Sequence, residues 1–444
     1  MRDQFSNAAY GVLDYAAYPI GMLLVAPIVL HHLGPAEYGL WAIATAAVST
    51  GGIVAAGFGD ANIQLIAKLR GLGQARELET VVRSMVGINL LLGIVLACVG
   101  LALSPILSRH IAAFDLSLQR SCLFSLRIAS ILMLVRALES VSISTLRAFE
   151  RYGAAVRISI AVRVFTLAMA ALLARQGQGT VSIMAVTMLL MVLGTCAQFL
   201  HLHRFMGAAS LWPAFDNDMT QALLGFGFFS WLQALASVLF GQADRLLLGV
   251  SLGPVAVASY VLCIQLAQPL FGLTAASLHF LFPYLAGRIE TLSHTNLLQT
   301  LRKAFVANLL LVAIGAAFLL LFGQRLLQAW AGPAIAQTAA PFFPLVILGS
   351  ALLGLSVTGT YALLALGNVR FVAWLNISVG FAMLVLMVWL LPYRGIQGLA
   401  TSRLLYGLFS LLLYIPLLQK LAGRRTSTPL AATSHSLFEE ASRP

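Results

Sequence analysis

Charge is scarce in this sequence. Only 9% of its 444 residues are Asp, Glu, Lys or Arg, where soluble domains carry about 25%. A water-exposed globule of this length lacks the side chains to cover its surface, and with 60% apolar residues and a mean hydropathy of +0.92 the chain belongs in a membrane. Lysine is scarcer still. Lys68, Lys303 and Lys420 are the only three, so nearly all of the +12 net charge comes from arginine. These basic residues are scattered along apolar segments instead of gathered on one face, which excludes a nucleic-acid surface.

Cysteine is also rare. Cys98, Cys122, Cys196 and Cys263 form no CxxC pair and lie in apolar runs, which predicts buried thiols acting as small hydrophobes instead of a disulfide or metal framework. No Lys follows a Gly, so there is no P-loop, and neither a serine elbow nor HExxH occurs. The sequence therefore predicts no enzyme, no metal and no cofactor.

What is present is a series of long apolar runs. A spanning helix needs about 20 such residues, and twelve segments qualify, near 8–31, 37–61, 82–106, 121–145, 153–174, 180–202, 222–249, 255–283, 304–322, 340–364, 371–391 and 395–418. Continuous runs such as NLLLGIVLACVGLALSPIL exclude barrel strands, which alternate apolar and polar residues. The expected fold is all-α and polytopic. The start of the chain, with a single Arg before a long apolar stretch, reads as a retained first helix and not a signal peptide.

Basic residues concentrate in cytoplasmic loops. With the N-terminus inside, 17 of the 27 basic residues fall on the inner side and five on the outer, the latter being Arg109, Arg120, Arg175, Arg325 and Arg394. This predicts both termini in the cytoplasm. Leu33-Gly34-Pro35 recurs as Leu252-Gly253-Pro254 at an offset of 219, which also carries Trp41 onto Tyr260 and Arg151 onto Arg370. The offset predicts two parallel six-helix lobes around a central cleft, the arrangement of carriers that rock. The expected domains are an N-terminal lobe at 1–203, a cytoplasmic connector at 204–221, a C-terminal lobe at 222–420 and a disordered tail at 421–444.

Charges inside spans cost at least about 2.5–3.5 kcal/mol each and so mark functional sites. Here they are Asp14, Asp60, Arg127, Arg136, Glu139, Arg163, Asp244, Arg245, His279 and Arg403. Arg136 and Glu139 are three apart on one helical face and positioned to pair. Excess arginine in a cavity favours an anionic cargo, because the planar guanidinium matches phosphate and carboxylate oxygens. Snorkelling and structural pairing are the competing explanation. Asp216-Asn217-Asp218, before the seventh segment, reads as a helix cap, and His31-His32 as interfacial residues.

LHHLGPAEYGLWAIATA at Leu30–Ala46, AAGFGDANIQLIAKLRG after it, the run from Leu223 to Phe271 and the block at 365–408 resemble polysaccharide-biosynthesis membrane proteins, the Wzx-type flippases of the MOP exporter superfamily. The resemblance implies transport of a polyprenyl-pyrophosphate-linked oligosaccharide from the cytoplasmic to the periplasmic leaflet of a bacterial inner membrane, for capsule, exopolysaccharide or O-antigen synthesis. Its implied partners are that lipid-linked oligosaccharide and other polysaccharide-assembly membrane proteins. On this reading the headgroup meets Arg147, Arg151 and Arg370 near the inner rim and Arg136, Arg163 and Arg403 deeper. Asp14, Glu139 and Asp244 are candidates for coupling or ion pairing. The alternatives are a multidrug antiporter of the same superfamily, which calls for an acidic cavity, and a membrane glycosyltransferase or polymerase, which calls for paired outer-loop carboxylates.

Overall fold

The computed structural model describes residues 2–113, 115–149, 151–207, 210–278, 281–286 and 294–426. Among the residues singled out above, His279 lies outside these, with the tail beyond Thr426 and the side chains of Asp14 and Asp60. Every regular element described is a helix: α1 (Arg2–Ala56), α2 (Gly59–Gly71), α3 (Ala75–Ile111), α4 (Leu116–Ala148), α5 (Tyr152–Arg175), α6 (Thr180–Met206), α7 (Asn217–Leu252), α8 (Pro254–Leu278), α9 (Leu281–Ala286), α10 (His294–Ala331), α11 (Pro333–Ala339), α12 (Phe343–Ala365), α13 (Val369–Ser410) and α14 (Tyr414–Thr426). With no water in the hydrocarbon, helices satisfy their backbone groups internally, which is why the long apolar runs adopt them.

Nine stretches of the described residues are long and apolar enough to cross a membrane, and two of them, Pro19–Gly52 and Arg370–Ala422, run through a break in the helix. The breaks are Gly34 in α1 and Gly395 in α13. Divided there, and with the 36-residue α7 added, the helices account for the twelve segments read from hydropathy. The helices overrun those segments, as α10 does by starting at His294 and ending at Ala331. Hydropathy marks only the hydrocarbon-buried middle, whereas the hydrogen-bonded helix continues into the polar margin.

The two Leu-Gly-Pro turns share one backbone conformation, Gly34 at φ 81, ψ 170 and Gly253 at φ 80, ψ 177. That region is essentially closed to side chains other than glycine, and the following proline suits the first turn of the next helix. The offset of 219 also carries Asn89 onto Asn308, both buried. Asn89 Oδ1 accepts from Ser140 Oγ in α4 at 3.3 Å, and Asn308 Nδ2 donates to Thr358 Oγ1 in α12 at 3.0 Å. The internal repeat is thus written in backbone geometry and in interhelical hydrogen bonds.

The chain forms two compact units. The first comprises Met1–Leu266, Arg325–Ala340 and Leu384–Leu399, and the second Ala267–Gln324, Pro341–Met383 and Ala400–Pro444. In the first, Ile66, Val82, Met85, Val141 and Leu202 form a buried core beside Asn62, whose Nδ2 donates to Ser144 Oγ at 2.8 Å and Thr145 Oγ1 at 3.0 Å. In the second, Leu281, Leu301, Leu363, Leu413 and Leu417 pack together. Along α10, Leu310, Ile314, Phe318 and Leu321 are exposed at helical spacing. A soluble monomer rarely leaves such a stripe open, and here it suits contact with lipid.

Close contacts gather around the Gly-Pro turns of the first unit. Gly39 packs so tightly on the Pro254 carbonyl that a Cβ would lie 1.8 Å from its oxygen, and a Cβ at Gly249 would lie 2.8 Å from Ile43 Cδ1. Trp330 Nε1 donates to Leu23 O at 2.8 Å, and Glu37 caps α6 by accepting from Thr180 N at 2.8 Å. Asp115 caps α4 and Asp216 caps α7, the latter as the sequence predicts. The Ser117 hydroxyl, then the Leu118 and Ser117 N–H groups, hold the Asp115 carboxyl below its usual range. That cap contributes above the unfolded carboxylate pKa and is lost as pH falls through the lower folded value.

Two of the cysteines depart from the sequence reading. Cys122 and Cys263 are buried, but Cys98 and Cys196 are exposed. In a bilayer an apolar span has apolar surroundings on every face, so an apolar run does not imply burial in protein.

Replacing Gly34 or Gly253 with Ala is expected to lower stability by about 1–3 kcal/mol each, read as a drop in the thermal midpoint of detergent-solubilised protein. Gly241→Ala, in α7 with nothing within 4 Å of the added Cβ, serves as the control and leaves the midpoint unchanged or slightly raised.

Candidate functional site

In the first unit a buried polar network joins α4, α5 and α6. On α4, Arg136 and Glu139 share a face, and Arg136 Nη1 donates to Glu139 Oε2 at 2.7 Å. The Arg136 aliphatic stem lies against Gly52 of α1, where a side chain would crowd its Cβ at 3.3 Å. The other carboxylate oxygen faces α5 and α6. Ser159 Oγ donates to Glu139 Oε1 at 2.9 Å, and Gln198 Nε2 donates to Ser159 Oγ at 2.9 Å and to Glu139 Oε1 at 3.4 Å. Three helices therefore converge on one carboxylate.

Burial divides the pair unevenly. The Glu139 side chain is 8% exposed and that of Arg136 is 30% exposed. Arg163, one helical turn beyond Ser159 on α5, also acts electrostatically on Glu139. Two guanidinium groups thus act on one carboxylate. The Gln198 Oε1, Thr195 Oγ1 and His201 Nε2 atoms of α6 are buried and have no hydrogen-bond partner among the described residues. Spaced three residues apart, they continue the polar stripe of that helix toward its C-terminal end.

The other predicted residues separate into distinct surroundings. Arg147 is half-buried at the end of α4, while Arg151 is exposed and stacks 4.3 Å over the Phe205 ring. Arg70 reaches the same end of α4, donating to Ala148 O at 3.2 Å. Asp244 is fully buried in α7, accepting from Tyr260 OH at 3.1 Å and from the Arg245 N–H at 2.8 Å. Tyr38 OH donates to Gln265 Oε1 at 3.3 Å, joining α1 to α8. Arg127 is exposed, 6.0 Å from the Phe124 ring. In the second unit, Arg370 is exposed at the start of α13 and Arg403 is half-buried, its backbone against Gly349 of α12. The Asp14 side chain lies outside the described residues.

Sequence reasoning missed Ser159 and Gln198. Gln198 carried a usable signal, being a long polar side chain within the otherwise apolar α6. Ser159 carried almost none, since a small hydroxyl packs anywhere in a span. The connector is likewise anchored by residues that spacing does not mark. Arg83 Nε donates to Trp212 O at 3.1 Å and Ala214 N donates to Arg83 O at 3.2 Å, which pins the connector to α3. Among the described residues, no group of three or more His, Cys, Asp and Glu side chains comes together to hold a metal.

Comparison with solved structures places the fold. The chain is similar to an inward-facing multidrug resistance MATE family transporter of the MOP superfamily, with a TM-score of 0.76 at 14% identity over 94% of this chain and all of that one. It is similar to the lipid II flippase MurJ in an inward closed conformation, with a TM-score of 0.75 at 14% identity over 93% of this chain and 87% of the other. A MOP superfamily transporter from Pyrococcus furiosus, described by a reversed polarity of its binding pocket, gives 0.55 at 14% identity over 93% and 96%. These likenesses establish the transporter fold. No curated protein matches the sequence. The sequence profile described as "Polysaccharide biosynthesis protein" matches residues 31–290, more than half of the chain. The chain is a member of that family of membrane proteins, built on the MOP transporter fold.

Proposed function

We propose that this protein carries a polyprenyl-pyrophosphate-linked oligosaccharide from the cytoplasmic to the periplasmic leaflet of a bacterial inner membrane. The observation that carries the reading is the placing of two arginines, Arg136 and Arg163, around Glu139 within the helices. Guanidinium groups at low dielectric interact strongly with phosphate and carboxylate oxygens. Pyrophosphate, and acidic sugars where present, supply such oxygens. Membership of the polysaccharide biosynthesis family supports the same cargo.

On this reading Arg147, Arg151 and Arg370 meet the headgroup at the inner rim, and Arg136, Arg163 and Arg403 receive it deeper. The guanidinium forks bind phosphate oxygens in pairs. Glu139 is a coupling or ion-pair carboxylate: it holds Arg136 until the cargo competes for it. Asp244 serves the same purpose in α7, and Asp14 in α1. The two halves at 1–203 and 222–420 act as the moving lobes, joined by the connector at 204–221. The Gly-Pro turns lie on the periplasmic side, where the tight contacts of Gly39 and Gly249 close the exit. Both termini are cytoplasmic, and the partners are the lipid-linked oligosaccharide and other polysaccharide-assembly membrane proteins.

The multidrug transporters that share the fold favour a second reading, export of organic cations. It calls for an acidic interior, whereas the charged groups that act on Glu139 are the guanidinium groups of Arg136 and Arg163.

Arg163→Gln and Arg403→Gln are each expected to lower polysaccharide export at least about tenfold, the cost of about 1.4 kcal/mol of lost binding, with normal membrane insertion on a blot of the membrane fraction. Unchanged export in both removes these arginines from the path. Glu139→Gln is expected to lower export comparably, and Asp244→Asn less, because Tyr260 and a backbone N–H already satisfy Asp244. A fluorescent protein fused to the C-terminus is expected to fluoresce and a fused alkaline phosphatase to be inactive; the reverse pattern contradicts the cytoplasmic tail.

A further inference from the structure

Residues 210–216 of the connector run alongside α3 and are tied to it at successive levels. Ser210 N donates to Glu79 Oε1 at 3.3 Å, Arg83 Nε donates to Trp212 O at 3.1 Å, Ala214 N donates to Arg83 O at 3.2 Å and Asp216 N donates to Ser84 Oγ at 3.5 Å. Within the strap Trp212 N donates to Ser210 Oγ at 3.1 Å, and Pro213 has no N–H to satisfy. The protein thus supplies partners for the irregular backbone of this segment. Its two aromatic rings are left open: Trp212 is 79% exposed and Phe215 64%.

α3 provides a depth scale for these rings. Arg83 is its last charge before Arg109, so the apolar span begins there. Gly87 lies one turn further in, about 6 Å at 1.5 Å per residue. A Cβ on Gly87 would stand 3.0 Å from the Ala214 carbonyl oxygen and 3.1 Å from the edge of the Phe215 ring, so the strap covers this glycine. Gly87 shares one helical face with Leu91, Ile94 and Cys98, all exposed. Trp212 and Phe215 therefore stand at the charged end of an apolar stripe that continues down the span. Such a stripe on a spanning helix suits contact with lipid.

Two independent features of the strap agree with that position. Irregular backbone is tolerated beside hydrocarbon only where protein satisfies it, whereas a loop in water has no such need. Tryptophan favours the headgroup level, where its ring is apolar on one side and its N–H meets polar oxygens on the other. We infer that residues 210–216 form an interfacial anchor whose partner is the glycerophospholipid of one leaflet. Phe215 lies among the glycerol backbones and first acyl carbons, and Trp212 lies at headgroup level with its indole N–H on ester or phosphate oxygens. Asp216 caps α7, so the anchor sets the depth at which that helix begins. The leaflet is the cytoplasmic one on the topology proposed above; the anchor itself rests on the register with α3.

The test places a nitroxide label at Trp212→Cys or Phe215→Cys in the full-length protein freed of its four native cysteines, in nanodiscs of phosphatidylcholine and phosphatidylglycerol. Gln74→Cys, in the exposed turn before α3, marks water, and Leu91→Cys marks lipid. Collisions with oxygen, which concentrates in lipid, and with a nickel chelate, which stays in water, read the depth. Both connector positions should fall between the two marks, with 215 deeper than 212. Nickel collisions at 215 should be at least about threefold below those at 74, equivalent to about 0.7 kcal/mol of exclusion from lipid. A second measurement keeps the native ring: the part of the tryptophan emission that disappears in Trp212→Phe should be quenched by lipids brominated on the acyl chains and not by iodide in the water. Labelled variants that do not elute like the unlabelled protein on gel filtration are set aside, and the bromine measurement then decides. Nickel collisions at 212 and 215 equal to those at 74, or quenching of Trp212 by iodide alone, overturn the anchor in favour of a solvated loop. Exclusion of both oxygen and nickel overturns it in favour of a protein surface over the rings. Because depth and not side is read, a reversed result from the C-terminal fusions contradicts the topology alone and leaves the anchor standing.

Discussion

A carboxylate placed among apolar helices has to be met by donors, and Glu139 is met from three sides. Arg136 reaches it along its own helix, Ser159 comes from α5 and Gln198 from α6. Leaving a buried charge without its partner costs about 3–5 kcal/mol, so this one residue fixes how α4, α5 and α6 are rotated about their axes. Apolar packing alone does not set that rotation, since lipid and protein are equally apolar neighbours for a leucine. Arg163 on α5 adds a second guanidinium to the surroundings of the same carboxylate.

The second constraint is the pair of Gly-Pro turns. Glycine is needed at 34 and 253 for conformation, and at 39 for space, because a side chain there would overlap the Pro254 carbonyl. Carrier lobes that close one side of a membrane need backbones that approach within contact distance and separate again. Small residues provide this without the interdigitation of large side chains. In the first unit the contacts cluster at the end carrying these turns, which is the end the positive-inside count assigns to the periplasm.

Much of the fold was readable from residues alone because a bilayer imposes a length and a composition on every span. All twelve segments, the repeat and the Asp216 cap correspond to features of the helices. Lateral information was not readable. Hydropathy did not distinguish Cys98 and Cys196, exposed, from Cys122 and Cys263, buried, and it gave no hint that Ser159 and Gln198 share a carboxylate. The Arg136–Glu139 pair was visible because its spacing is local, a property of one helix. Contacts such as Trp330 to Leu23, 307 residues apart, have no local signature.

The central claim is that arginines inside the helices select an anionic, lipid-linked sugar for passage across the bilayer. Proteoliposomes measure this most directly: purified protein is reconstituted with a fluorescent polyprenyl-pyrophosphate oligosaccharide, and a membrane-impermeant quencher follows its appearance in the opposite leaflet. The account predicts that the protein accelerates this exchange at least tenfold over empty vesicles, that the acceleration is lost in Arg163→Gln, and that an organic cation dye in the same vesicles is not moved. Exchange no faster than in empty vesicles, or transport of the cation in place of the sugar lipid, contradicts it.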